Sequence, residues 1–120
     1  MKVLLDHNLL RRLRGLLPGH QVKTTREMRW ENLKNGVLLA AAAGAGFDAF
    51  LSIDKNLRYQ QNLSQLPLPV IVLDCASNAL PALIPVAPHV CMLLDGLLVR
   101  NVYIVAPNGT VDRIGATGAP

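Results

Sequence analysis

Three aspartates carry most of the chemistry this sequence offers. Asp6 closes the run Lys2–Asp6, Asp54 follows Phe47–Ile53, and Asp74 follows Val70–Leu73. Each run is short and apolar, the pattern of a strand buried on both faces. Carboxylates gathered at one end of a sheet repel one another, and a divalent cation relieves that repulsion. Oxygen-only ligands suit Mg²⁺ or Mn²⁺. A cation held in this way acidifies water and clamps a phosphodiester. A plainer reading stands beside this one, because a lone aspartate at a strand end is often the cap of the next helix. Asp74 has the least support, since Cys75-Ala76-Ser77 adds no further charge. Asp48 precedes its strand and belongs at the opposite edge, while Asp95 and Asp112 read as solvated surface charges. No competing chemistry is visible. There is no Cys/His pair, no CxxC and no Gly-rich phosphate loop, and Gly44-Ala45-Gly46 lies at the wrong end of its helix to bind phosphate.

The elements that must position these residues follow from periodicity. Leu9, Leu10, Leu13, Leu16 and Leu17 recur at helical spacing over Asn8–Leu17, with Asn8 as N-cap and Pro18-Gly19 as the stop. His20–Thr25 alternates as a strand, and Arg26–Lys34 reads as a loop or short helical turn. Asn35-Gly36 opens a helix over Val37–Ala45, which Gly44 and Gly46 end. Asn56–Leu63 predicts a short polar helix, and Asn78–Leu98 a helical stretch interrupted by prolines. Asn101–Val105 is a last strand, followed by a turn at Pro107-Asn108-Gly109. Residues 1–110 then form one domain and 111–120 a flexible tail. Alternating strands and helices predict an α/β fold, a mainly parallel sheet with helices on both faces. Ligands of such sheets bind beyond the carboxyl ends of the strands.

Composition narrows the class. The 120 residues are 51% hydrophobic and 17% charged, which excludes a disordered chain. Aromatics are only 4%, so the core is aliphatic. The net charge of +4 is compatible with a nucleic-acid partner without demanding one. Cys75 and Cys91 make no disulfide framework, and no apolar run is long enough for a signal peptide or a membrane span. These features predict a cytoplasmic protein that does not enter a membrane.

Several segments, in order and spacing over about residues 2–80, resemble the short PIN-like domain proteins. They are Lys2-Val3-Leu4-Leu5-Asp6-His7-Asn8-Leu9, Gly19-His20-Gln21-Val22, Arg26-Glu27-Met28-Arg29-Trp30, Asn35-Gly36-Val37-Leu38-Leu39, Ala45-Gly46-Phe47-Asp48, Asp54-Lys55-Asn56-Leu57 and Tyr59-Gln60-Gln61-Asn62-Leu63. The resemblance implies a PIN-like three-layer α/β/α sandwich with a central, mainly parallel sheet. It also implies a ribonuclease dependent on Mg²⁺ or Mn²⁺, and commonly a VapC-type toxin with a small antitoxin as partner. By position it makes Asp6 and Asp54 the metal-binding carboxylates and Asn56 a further polar group of the catalytic set. Two positions depart from the pattern. His7 stands where many relatives carry Glu, and Val37 where many carry Glu or Asp. Valine binds no metal, which leaves Glu27 and Glu31 in the preceding loop as possible accessory groups, with Asp74.

His7 has two readings, a ligand or proton carrier at the pocket rim, or a helix-start residue bonded to backbone. The basic residues divide similarly. Arg11, Arg12, Arg26 and Lys55 can track an RNA backbone with Tyr59 stacking on a base, or they form an ordinary solvated face. The expectation is therefore a metal-dependent ribonuclease. The alternative is a degenerate PIN-like module that binds RNA or a protein without cleaving. A third reading makes the aliphatic stretch Leu80–Leu98 a surface for dimerisation, and a homodimer is expected.

Overall fold

A computed structural model describes residues 1–55, 66–96 and 99–115. The strands are β1 (Lys2–Leu5), β2 (Gln21–Thr24), β3 (Ala49–Ser52), β4 (Val70–Leu73), β5 (Asn101–Val105) and β6 (Val111–Gly115). The helices are α1 (Asn35–Gly44), α2 (Leu80–Leu83) and α3 (Ala87–Asp95), with a 3₁₀ segment at Arg11–Leu16. One six-stranded sheet runs in the order β2-β1-β3-β4-β5-β6. Every neighbouring pair is parallel except β5 with β6.

The sheet is covered on both faces, which is why its strands are apolar without alternation. Val3, Leu5, Leu51, Ile71 and Leu73 face Leu9, Leu13 and Leu17 from the 3₁₀ region, Leu83 of α2, Val86 just before α3, and Val90 and Leu94 of α3. Leu4, Phe50, Val70 and Val72 face the other way, onto Leu38, Leu39 and Ala42 of α1. The result is an α/β architecture with helices on either side of a mostly parallel sheet, as the alternation of elements predicted. No helix among the described residues is long and apolar enough to cross a membrane.

Two expectations need correction. The first helix is a 3₁₀ segment starting at Arg11, not an α-helix capped by Asn8. Asn8 is drawn instead toward β3, and the Leu10 N–H is accepted by Asn78 Oδ1 at 2.5 Å. Residues 111–115 are not tail. They form β6, antiparallel to β5 through the Pro107–Gly109 turn, with Asn108 Oδ1 accepting the Thr110 N–H at 2.9 Å. The polar edge sequence Val111-Asp112-Arg113-Ile114 gains a backbone ladder on one side only, so its hydrophobicity is weak evidence of a strand. The expected helix over 56–63, with Asn56 and Tyr59, lies outside the described residues.

The strand order sets the position of the site. From β1 the chain moves outward to β2, then returns past β1 to β3. The connections therefore leave the ends of β1 and β3 in opposite directions, which makes that pair the switch point of the sheet.

Candidate functional site

Asp6 lies at this switch point, directly after β1. Its N–H extends the ladder to Leu51 O (2.8 Å), and its carbonyl accepts the Leu9 N–H (3.0 Å), which turns the chain back at once. The side chain is thereby held inward, and the residue is only 7% exposed. A buried carboxylate needs hydrogen-bond donors. Oδ1 accepts the His7 N–H at 2.8 Å, and Oδ2 accepts the Ser52 hydroxyl at 2.8 Å. His7 Nδ1 lies 2.9 Å from Oδ1, with the His7 side chain 67% exposed at the rim.

Ser52 is the junction of this network. Its fully buried hydroxyl donates to Asp6 and accepts the Asp54 N–H (3.0 Å) and the Asn8 amide (3.4 Å). One oxygen thus couples the end of β1 to the end of β3.

A cavity of about 400 Å³ opens beside Asp6 and His7. Arg11, Arg26, Glu27 and Glu31 line it together with Thr24 and Thr25. The structure therefore brings six residues singled out from sequence to one cavity: Asp6, His7, Glu27, Glu31, Arg11 and Arg26. Asp54, half-buried at the end of β3, is not among its lining residues, and neither is exposed Arg12. Asp74 and Lys55 pair with each other at 2.6 Å. Both side chains of this pair are exposed to solvent, 54% for Lys55 and 43% for Asp74. Asn56 and Tyr59 lie outside the described residues.

Glu27 has a structural task. Thr24 Oγ1 accepts the Glu27 N–H (3.1 Å), and Glu27 Oε1 accepts the Thr24 N–H (2.9 Å), a reciprocal capping box. Arg14 adds an ion pair to the same carboxylate. The Thr24 amide, with help from Arg14 and against a desolvation penalty, lowers the Glu27 pKa. The turn it caps closes with Arg29 at φ +60°, its N–H bonded to Arg26 O (3.0 Å), while the Trp30 N–H bonds to Thr25 O (2.8 Å). This is the Schellman pattern with arginine where glycine is usual. Trp30 packs edge-on to Phe47, ring centres 6.0 Å apart, and anchors the turn beneath α1.

Sequence reasoning missed Ser52, the capping box and Thr25. The Thr24-x-x-Glu27 spacing was the available signal for the box, and a serine in the otherwise apolar β3 was the signal for the junction. Thr25 left no signal. It is wholly buried, and its hydroxyl has no hydrogen-bond partner although the residue lines the cavity.

Among the described residues no three of His, Cys, Asp and Glu gather in a metal-holding group. The carboxylates of Asp6, Glu27 and Glu31 line the cavity, while the Thr25 hydroxyl is buried beside it without a partner. Carboxylate oxygen is the donor type a hard dication takes, and of these three carboxylates only that of Asp6 is buried. Compared with protein-family models, curated proteins and solved structures, the chain has no match in any of the three.

Proposed function

We propose that this chain is a PIN-like ribonuclease dependent on Mg²⁺ or Mn²⁺, and the toxin half of a prokaryotic toxin–antitoxin pair. The observation that carries the reading is the position of Asp6, a buried carboxylate at the sheet's switch point, on a cavity that Arg11 and Arg26 also line. Asp6 and Asp54 would hold the cation, as the family resemblance implies. When bound, the cation offsets the charge of the phosphodiester and acidifies water. Ser52 keeps the Asp6 carboxylate fixed in rotation and ties it to the backbone of Asp54. Arg11 and Arg26 bind phosphates on either side of the scissile bond, an electrostatic role independent of base sequence. A small antitoxin would cover the cavity, and a second copy of the chain would complete a homodimer.

The test is cleavage of a mixed RNA pool by purified protein with Mn²⁺, beside lanes containing EDTA and the Asp6→Asn variant. Cleavage lost in both control lanes supports the reading. Folded protein that leaves the pool intact at micromolar concentration overturns it.

One set of observations favours a second reading, a module that binds RNA or a protein without cleaving. Val37 is 64% exposed in the first turn of α1, where the resemblance calls for a carboxylate. Glu27 and Asp74 are already held by Arg14 and Lys55. Salt-dependent RNA binding unaffected by EDTA, with no cleavage, would be its signature.

A further inference from the structure

The charged groups on the cavity beside Asp6 differ in how far they are already engaged. Asp6 is held by Ser52 and His7, and Glu27 by the Thr24 N–H and Arg14. Arg11, Arg26 and Glu31 line the same cavity, and their side chains make no hydrogen bond or ion pair among the described residues. Two unengaged cations and one unengaged carboxylate thus share a space of about 400 Å³, a volume typical of small-ligand sites. Buried Leu9 adds an apolar wall. A ligand matching this set carries an anion for the arginines, hydrogen-bond donors for the carboxylate and a flat apolar face. A nucleotide has all three.

The backbone around Glu31 is set before any ligand arrives. The Trp30 N–H bonds to Thr25 O at 2.8 Å, the Leu33 N–H bonds to Trp30 O at 2.9 Å, and the Trp30 ring packs on Phe47. Little ordering of the loop is then charged to binding. An ionised carboxylate accepts hydrogen bonds and donates none, and two parallel donors suit it best. Guanine is the one RNA base with two adjacent donors on its Watson–Crick edge, N1–H and the N2 amino group. Adenine and cytosine set an acceptor nitrogen beside their amino group, and uracil sets carbonyl oxygens on both sides of its N–H. Each of those acceptors repels a carboxylate. Granted the RNA reading above, we propose that Glu31 is the base-selecting residue, taking the Watson–Crick edge of an unpaired guanosine while Arg11 and Arg26 hold the flanking phosphates. A duplex hides that edge, so the RNA is single-stranded at this nucleotide. Glu31 shares its cavity with Asp6, so the bond cleaved adjoins the guanosine.

The test is equilibrium binding of the full chain to labelled RNA in EDTA, read by fluorescence anisotropy, so that no cleavage intervenes. The probes are a short oligouridine and the same strand with one central guanosine, inosine or adenosine. The guanosine strand should bind about tenfold more tightly than the uridine or adenosine strand. Inosine, which lacks the N2 amino group, should fall between them. Glu31→Gln should reduce the guanosine-to-uridine ratio to about twofold or less, whatever it does to overall affinity. Arg11→Gln should weaken every strand and preserve the ratio. A hairpin that pairs the guanosine should lose the preference. Far-ultraviolet circular dichroism checks that each variant is folded. No guanosine preference, a preference unchanged in Glu31→Gln, or one that survives pairing overturns the proposal. Free 5′-GMP that competes as well as the guanosine strand would assign the cavity to a free nucleotide and overturn it too.

RNA cleavage with Mn²⁺, measured on the same preparations, separates this inference from the reading beneath it. Glu31-dependent guanosine binding without cleavage supports base selection and sinks the nuclease. Asp6-dependent cleavage with no base preference supports the nuclease and sinks base selection.

Discussion

Replacing Ser52 by alanine tests whether one hydroxyl holds the carboxyl edge of the sheet together. The change removes a single oxygen from a fully buried site, so little cavity forms. What is lost is the donor to Asp6 Oδ2 and the acceptor of the Asp54 and Asn8 N–H groups. A hydrogen bond to a charged group contributes about 1.5–3 kcal/mol. Water can replace it only in part, because the Asp6 side chain is 10% exposed. Asp54 and Asn8 are half-buried, and water satisfies them more readily. The expected loss is therefore about 2–3 kcal/mol, mostly through Asp6. With a urea slope of about 1–3 kcal/mol/M for a small domain, the midpoint falls by about 1 M at unchanged slope. Urea unfolding of wild type, Ser52→Ala, Asp6→Asn and the double variant forms a cycle that isolates the pair. A coupling of at least about 1 kcal/mol is expected for residues in contact. A coupling near zero, or a single-variant loss under about 0.5 kcal/mol, would refute the argument that this hydroxyl anchors Asp6.

The remaining predictions concern the turns that frame the site. Glu27→Gln removes the charged half of the capping box and should cost about 1 kcal/mol in urea unfolding. Because the folded pKa of Glu27 lies below its ordinary 4.5, its contribution is complete above 4.5 and is lost as pH falls through the lowered value, so the variant should lose less stability on acidification across that window than wild type does. Arg29→Gly relieves a side chain at φ +60° and should stabilise the fold by about 0.5–1 kcal/mol, read as a rise in melting temperature; a fall would mean the arginine makes a contact that outweighs its strain. Gly109→Ala puts a Cβ at φ +93°, 3.0 Å from His89 Cε1, and should destabilise by about 1–3 kcal/mol, with partial rescue by His89→Ala.

The sequence by itself determined five of the six strands and placed Asp6, Asp54 and Asp74 just beyond the carboxyl ends of three of them. Continuous apolar runs such as Val70–Leu73 are legible because a strand covered on both faces has no solvent side, and a polar residue marks where the run leaves the core. The same logic sent Asp48 to the edge opposite Asp6, where it accepts the Lys2 N–H at 2.7 Å. Edge strand β6 was not legible, because its stability comes from a ladder to β5 rather than from burial. Nor was the 3₁₀ character of Arg11–Leu16, since leucine spacing reports the buried face and not the hydrogen-bond pattern that winds it. The tertiary structure alone decided which charged residues share a site. The strand order β2-β1-β3-β4 places the end of β1 between two neighbours. Asp6 therefore meets Ser52 from 46 residues away, and it shares a cavity with Glu27 and Arg26 at the end of β2. Asp74, one strand farther out, pairs with Lys55 instead. Periodicity along a chain carries no information about strand order. Order arises from how crossovers pack on a twisted sheet, and here it buries one of the three strand-end carboxylates, Asp6.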